Sequence, residues 1–203
     1  MKDFWDERYS KKEFAYGENP NEYLKAKFSG IPVGKVLFPA EGEGRNAVFS
    51  ATLGWDVFAF DQSEEGKKKA KILAHKNGVP INYIVSDMEH VNYPQNSFDA
   101  LVLIYAHFSS EKRKEYHQKL GSLLKKGGLL ILEGFDKKHA EQQKQNPKAG
   151  GPKNVSMLYD LEELKSDFKE FDFTEAYECT ISLDEGLYHV GQAAVVRILA
   201  IKK

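Results

Sequence analysis

This chain of 203 residues has a single cysteine, Cys179, which excludes an intramolecular disulfide and a cysteine-based metal site. It also lacks an excess of either charge, with 29 basic residues against 30 acidic. That balance gives no electrostatic case for a nucleic-acid partner, and the lysines alternate with glutamates as on a solvated surface. No apolar run is long enough to span a bilayer. The N-terminus, MKDFWDERYSKKEF, is charged and aromatic and has no apolar stretch of signal-peptide kind. A soluble, cytoplasmic protein is therefore expected, with no membrane partner. The histidines (His75, His90, His107, His117, His139, His189) show no zinc spacing, and no pair of acids marks a magnesium site, so no metal is expected.

What is present is an alternation of short apolar runs with helical patterns. The runs Lys35–Pro39, Asp56–Phe60, Asn82–Val85, Asp99–Ile104 and Leu129–Glu133 are nearly continuous in apolar residues, as parallel strands covered on both faces are. Helices are predicted between them. Arg45 to Leu53 stops at Gly54, a second helix opens at Ser63 and closes at Lys76-Asn-Gly78, and Ser110 to Lys126 stops at Gly127-Gly128. Lys137 to Pro152 reads as partly helical at most, with Asn146-Pro147 and Gly150-Gly151-Pro152 marking a loop, and Leu158 to Phe171 as an amphipathic helix. Phe173 to Ser182 and Ala193 to Ile201 are strand-like and joined by Leu183–Gly191, with no room for a crossover helix. They should pair antiparallel. The length suits one domain, residues 1–203.

The first strand runs into Ala40-Glu41-Gly42-Glu43-Gly44-Arg45-Asn46-Ala47. Glycines between a strand and a helix allow a tight turn and the close approach of a ligand. Asp61 ends the next strand, seventeen residues after Gly44. An acid there hydrogen-bonds ribose hydroxyls, so the pair of features points to a cofactor containing adenosine. The spacing Gly42-x-Gly44-x-x-Ala47 also fits a dinucleotide fingerprint. Two features argue against that. Glu41 would repel a pyrophosphate at the helix N-terminus but attract the ammonium of a methionine moiety. The terminal antiparallel hairpin is foreign to a doubly wound parallel sheet.

The segments FWDERYSKKEFAYGENPNEYL, AEGEGRN, VFAFDQS, KKGGLLILEGF and DEGLYHVGQAAVVRILAIKK together resemble a class I S-adenosylmethionine-dependent methyltransferase, near the TehB-like (tellurite resistance) and thiopurine methyltransferase-like small-molecule branch. The resemblance implies a Rossmann-like α/β fold. Its sheet has seven strands, mostly parallel, in the order 3-2-1-4-5-7-6 with the last strand antiparallel. It also implies S-adenosyl-L-methionine as cofactor. Glu41, Gly42 and Gly44 would meet the methionine part, and Asp61, followed by Gln62, the ribose, with Glu43, Arg45, Asn46 and Ser63 as further cofactor-binding candidates beside them. Asp87 and Met88 would meet the adenine, and Tyr105 and Ala106 would line the site. The family's turn often has Cys or Ala between its glycines where this chain has Glu43. Residues 1–30 would be a helical flap over the core of residues 31–203, with Trp5 and Tyr16 beside the sulfonium, whose charge aromatic faces attract.

The expected reaction is methyl transfer to a small-molecule acceptor such as a thiol or chalcogen oxyanion, by a monomer or homodimer. A hydroxyl or amine acceptor would need a proton acceptor. The candidates for catalytic roles are His107, His189 and Tyr105, with Glu133 a weaker one and Arg8 and Arg197 as anion holders. A non-catalytic S-adenosylmethionine-binding protein and an NAD(P)-dependent oxidoreductase are the alternatives.

Overall fold

The computed structural model describes residues 2–203. Helices α1 (Lys2–Tyr9) and α2 (Glu22–Phe28) precede the sheet, and residues 10–20 form a strap between them. Strand β1 (Lys35–Pro39) leads through the glycine turn into α3 (Arg45–Thr52). The units β2 (Asp56–Asp61), α4 (Glu64–Lys76), β3 (Asn82–Val85), β4 (Phe98–Ile104), α5 (Ser110–Leu123) and β5 (Leu124–Phe135) follow. Helices α6 (His139–Gln145) and α7 (Leu161–Asp167) then lead to the hairpin β6 (Phe171–Glu185) and β7 (His189–Lys202).

The strand order is β3-β2-β1-β4-β5-β7-β6. Strands β1 to β5 pair parallel, and β7 lies antiparallel between β5 and β6. This is the implied order, and it sets aside the all-parallel dinucleotide sheet. Side-chain alternation divides the core in two. Leu37, Phe60, Leu101, Leu103 and Leu132 face Leu120, Leu164 and Phe168 of the α5–α7 side. Val36, Phe38, Val57, Ala59 and Val102 face Leu24, Phe28, Val48, Ala70 and Leu73 of α2, α3 and α4. Each large apolar side chain so buried contributes about 1.5–3 kcal/mol.

Three boundaries differ from the sequence reading. The chain enters β5 at Leu124, before the double glycine, because Lys125–Gly128 bulges out between the pairs Phe98↔Leu124 and Ala100↔Leu129. Helix α7 begins only at Leu161, capped by Asp160, which accepts from the N–H groups of Glu162 and Glu163. Leu158 and Tyr159 are instead buried, and Tyr159 bridges to Asp136. The expected connector Leu183–Gly191 is mostly ladder, with Leu183↔Gly191, Asp184↔Val190 and Glu185↔His189 paired, so the turn is only Gly186–Tyr188. Strand β6 is an exposed edge, so its polar residues hid its length.

Candidate active site

The carboxyl ends of β1, β2, β3 and β4 meet at one edge of the sheet, where open α/β sheets bind ligands. The turn after β1 is unusual in its backbone, with Ala40, Gly42 and Gly44 at φ of 51°, 60° and 86°. Its two glycines make the tight turn expected of them and also serve packing inside the protein. A Cβ on Gly44 would stand 2.5 Å from the Cβ of Ala70, and one on Gly42 would stand 2.5 Å from the Tyr9 hydroxyl. Gly44 thus lets α4 pack directly on the turn, and Gly42 makes room for the end of α1. The sequence marks Tyr9 only as one of the dense N-terminal aromatics, with Phe4, Trp5, Phe14 and Tyr16; its spacing from Trp5 stacks the two rings 5.4 Å apart on one helix face.

Asp61 is 6% exposed and receives the N–H of Gly42 at 3.1 Å on one oxygen and that of Ser63 at 2.9 Å on the other. Burial pushes its pKa up to about 6, against those two backbone bonds. A carboxylate offers about four lone-pair positions, so each oxygen can accept a further donor such as a ribose hydroxyl. Glu41 caps α3, its Oε1 accepting from Asn46 N at 2.9 Å and Ala47 N at 2.8 Å. Burial raises its pKa to about 7 despite those bonds. Its Oε2 remains for an ammonium. These donor and acceptor sets fit an adenosyl cofactor with a methionine tail.

Other predicted contacts point elsewhere. Glu43 turns to Lys69 and Ala15 N, Arg45 to Glu185 and Asn19 O, and Asn46 accepts from Asn21 N. Their side chains brace the strap and the hairpin, because α3 starts where those segments cross. Ser63 caps α4, accepting from Gly66 N, and donates to Asp6 of α1. Gln62 is half-buried beside Asp61. Asp87 is exposed and accepts from the N–H groups of Glu89 and His90, while Met88 is buried in the core. Arg8 is no free anion holder: its guanidinium lies 4.6 Å from the Phe4 ring centre and 4.2 Å from that of Tyr188, and it donates to the Tyr16 hydroxyl. Trp5 is half-buried on this cluster, its ring centre 5.5 Å from the Arg8 guanidinium and stacked on Tyr9.

A family model described as a methyltransferase domain matches residues 39–132. That match runs from the end of β1 into β5 and takes in the glycine turn, Asp61 and Tyr105. The uncharacterized methyltransferase YbaJ of Bacillus subtilis (strain 168) is 29% identical over 98 residues, which cover 48% of this chain and 38% of YbaJ. The chain therefore spans well under half the length of that curated relative. The structure of TehB from Haemophilus influenzae aligns with 100% of this chain and 67% of its own, at TM-score 0.72 and 19% identity. A structure described under the conversion of a disulfide bond into a thioacetal group during echinomycin biosynthesis aligns with 100% of this chain and 92% of its own, at TM-score 0.80 and 17% identity. These structures establish the TehB-like fold. Structures of magnesium protoporphyrin IX methyltransferase (ChlM) from Synechocystis PCC 6803, 15% and 16% identical at TM-scores of 0.65 and 0.62 over 90% of this chain and 80% and 76% of their own, are described with bound SAH and SAM.

The far wall of the site comes from β4, β5 and the hairpin. Tyr105 leaves β4 with φ of 53°. Its ring stacks on Phe135 at 4.6 Å and meets His189 edge-on at 4.6 Å, and its hydroxyl donates to Glu133 at 2.8 Å. His189 is 4% exposed, with the Tyr16 ring 4.3 Å away. Its Nδ1 bonds Glu185 Oε2 at 3.0 Å, and Arg45 reaches the same oxygen at 2.8 Å. Burial opposes ionisation of Glu185, but the hydrogen bond from His189 and the Arg45 guanidinium outweigh it and hold its pKa down to about 2. An ionised Glu185 fixes the proton of a neutral His189 on Nδ1 and leaves Nε2 as the acceptor. Burial lowers the His189 pKa, partly offset by Glu185.

His107 is a different case. Its Nδ1 bonds the Met157 carbonyl at 2.8 Å, and its Nε2 accepts from Phe135 N at 3.1 Å. Burial drives its pKa down to about 3 despite the Met157 bond. Both nitrogens are committed to backbone, so the structure places His107 as a brace between β5 and the segment before α7, without a free nitrogen for catalysis. The cause is a tight turn, in which His107 N donates to Tyr105 O at 3.1 Å and swings the ring toward β5. Glu133 is fully buried and engaged by Asn21, Tyr105 and Arg197, so it too is structural, and Arg197 is its counter-ion. Glu185 is the residue that sequence reasoning missed; its signal was the acid and histidine on either side of Gly186, four apart in a hairpin.

Proposed function

We propose that the protein transfers the methyl group of S-adenosylmethionine to a small polar acceptor. The observation that carries this reading is Asp61, buried beside the glycine turn with unused acceptor positions at the end of β2. Asp61 would hold the ribose hydroxyls, Glu41 the ammonium, and the Asp87–Met88 segment the adenine. When bound, the cofactor supplies a methyl group on a sulfonium with a good leaving group, and the protein chiefly aligns the partners. A cavity of about 350 Å³ adjoins this wall, lined by Tyr16, Asn21, Arg45, Glu133, Glu185 and Arg197. Its volume lies at the small-molecule end of ligand pockets, and its charges are already paired. His189 accepts the proton of a hydroxyl or amine acceptor at Nε2, with Glu185 orienting the ring.

Calorimetry tests the cofactor reading. Wild type binds S-adenosylhomocysteine, and Asp61→Asn weakens it by about 10–100-fold, the worth of hydrogen bonds to a charged acceptor. Wild-type protein that shows no binding sinks the reading. The role of His189 is tested by turnover. His189→Asn loses about 10²–10⁴-fold with hydroxyl or amine acceptors and far less with a thiolate. Equal losses for both acceptor types would remove the proton role.

A further inference from the structure

Glu43 lies between the two glycines of the turn, yet its carboxylate leaves the cofactor face. Oε1 accepts from Lys69 Nζ at 2.8 Å, and Oε2 accepts from Ala15 N at 2.7 Å. Lys69 also donates to the Glu13 carbonyl at 2.5 Å, and its ammonium lies 5.1 Å from the Phe14 ring centre. The side chains are 3% and 11% exposed, so this is a buried ion pair. Such pairs seldom add stability over apolar residues of the same shape, which leaves its geometry to be explained. The carboxylate takes an N–H and the ammonium takes a C=O of the same strap, two residues apart. Ala15 is held from its other side as well, its carbonyl accepting from Leu187 N at 2.8 Å in the hairpin turn. The next residue, Tyr16, forms the wall over His189.

We infer that Glu43 and Lys69 are a positioning clamp on the strap backbone, which joins the glycine turn to Tyr16 and the hairpin so that cofactor occupancy and closure of the acceptor wall reinforce each other. The inference rests on the glycine turn being the cofactor's seat. Linkage makes the effect reciprocal: if a bound cofactor favours the closed strap, the closed strap tightens the cofactor. Because both grips are on backbone atoms, the side chains of the strap at residues 13 and 15 do not enter it.

Limited trypsin cleavage after the exposed Lys11 and Lys12 reads strap opening. The double variant Glu43→Gln/Lys69→Met leaves no unpaired buried charge. Without ligand it is cleaved about tenfold faster than wild type. S-adenosylhomocysteine slows cleavage of wild type about tenfold and of the double variant less than about twofold, while calorimetry on the same samples shows it still bound, more weakly. Glu13→Ala behaves as wild type. Ala15→Pro removes the N–H that Glu43 takes while also fixing φ at 15 and adding a ring at this buried position, so it opens the strap by a second route and reproduces the fast cleavage should the double variant not fold. Equal ligand-free cleavage of wild type and variant overturns the clamp, whatever the ligand does. Faster variant cleavage with equal ligand protection overturns the coupling. Wild type that binds no S-adenosylhomocysteine overturns the reading of the site instead, and the ligand-free rates still decide the clamp.

Discussion

Glu133→Ala unfolds in urea with a stability lower by about 3–5 kcal/mol, the cost of leaving a buried charge without its partner. Glu133 is fully buried and is the meeting point of three separate segments. Asn21 donates to Oε1 at 2.6 Å from the start of α2, Tyr105 donates to the same oxygen at 2.8 Å from the end of β4, and Arg197 Nε reaches Oε2 at 2.6 Å from β7. Removing the carboxylate strands a guanidinium, a phenol and an amide in one place. Each loses its acceptor where water enters poorly. Glu133→Gln keeps an oxygen and part of the shape, so it costs less, about 1–3 kcal/mol. The Ala variant also loosens Tyr105, so affinity for S-adenosylhomocysteine falls with stability. A loss under about 1 kcal/mol for Glu133→Ala would show that the network is not structural.

Gly44→Ala destabilises by about 2–5 kcal/mol, of which about 1–2 is the left-handed backbone and about 1–3 is overpacking. The new Cβ would stand 2.5 Å from the Ala70 Cβ and 2.9 Å from its Cα. The second of these is backbone and cannot step aside without moving α4. That helix presents Gly66 and Ala70, small residues one turn apart, to the glycine turn, and a Cβ on Gly66 would itself meet Gly42 O at 2.9 Å. The contact is close enough that neither surface tolerates a methyl group. Gly78→Ala is the control, since Gly78 has φ of 65° and an added methyl group there would meet nothing within 4 Å. It reports the backbone cost alone. Denaturation midpoints of the two variants separate the effects, and equal losses would mean that the packing of α4 on the turn carries no energy.

The sheet was legible because its signals are local. Continuous apolar runs marked the parallel strands, and the absence of a crossover marked the antiparallel hairpin. Asp61 and the glycine turn were legible for the same reason, a strand end and a backbone demand. Beyond the element boundaries, the errors at the site are mostly matters of direction. Nothing in the sequence says that Tyr105 takes a positive φ and turns His107 away from the site. Nothing says that the carboxylate of Glu43 points to α4 while that of Glu41, two residues earlier, stays by the ligand face. Glu185 was invisible because its partner lies across a turn whose length the polar edge strand concealed. Among the conspicuous aromatics of the N-terminus, Tyr9 is the one that touches the turn, and Trp5 stacks on it.

The long hairpin makes the site depend on whether a count is odd or even. Glu133 faces Arg197 across β5–β7, and Glu185 faces His189 across β6–β7. Both pairs are register partners in ladders, and His189 and Arg197 lie eight positions apart in the sequence, an even offset, so they share one face of β7. A single residue inserted between them would send one of the two to the opposite face, splitting the wall of the site from its counter-ion without touching either side chain. Length variation in this protein is therefore constrained by parity in β7 and is free only at the tip, Gly186–Tyr188, to the extent that the strap beneath it can follow.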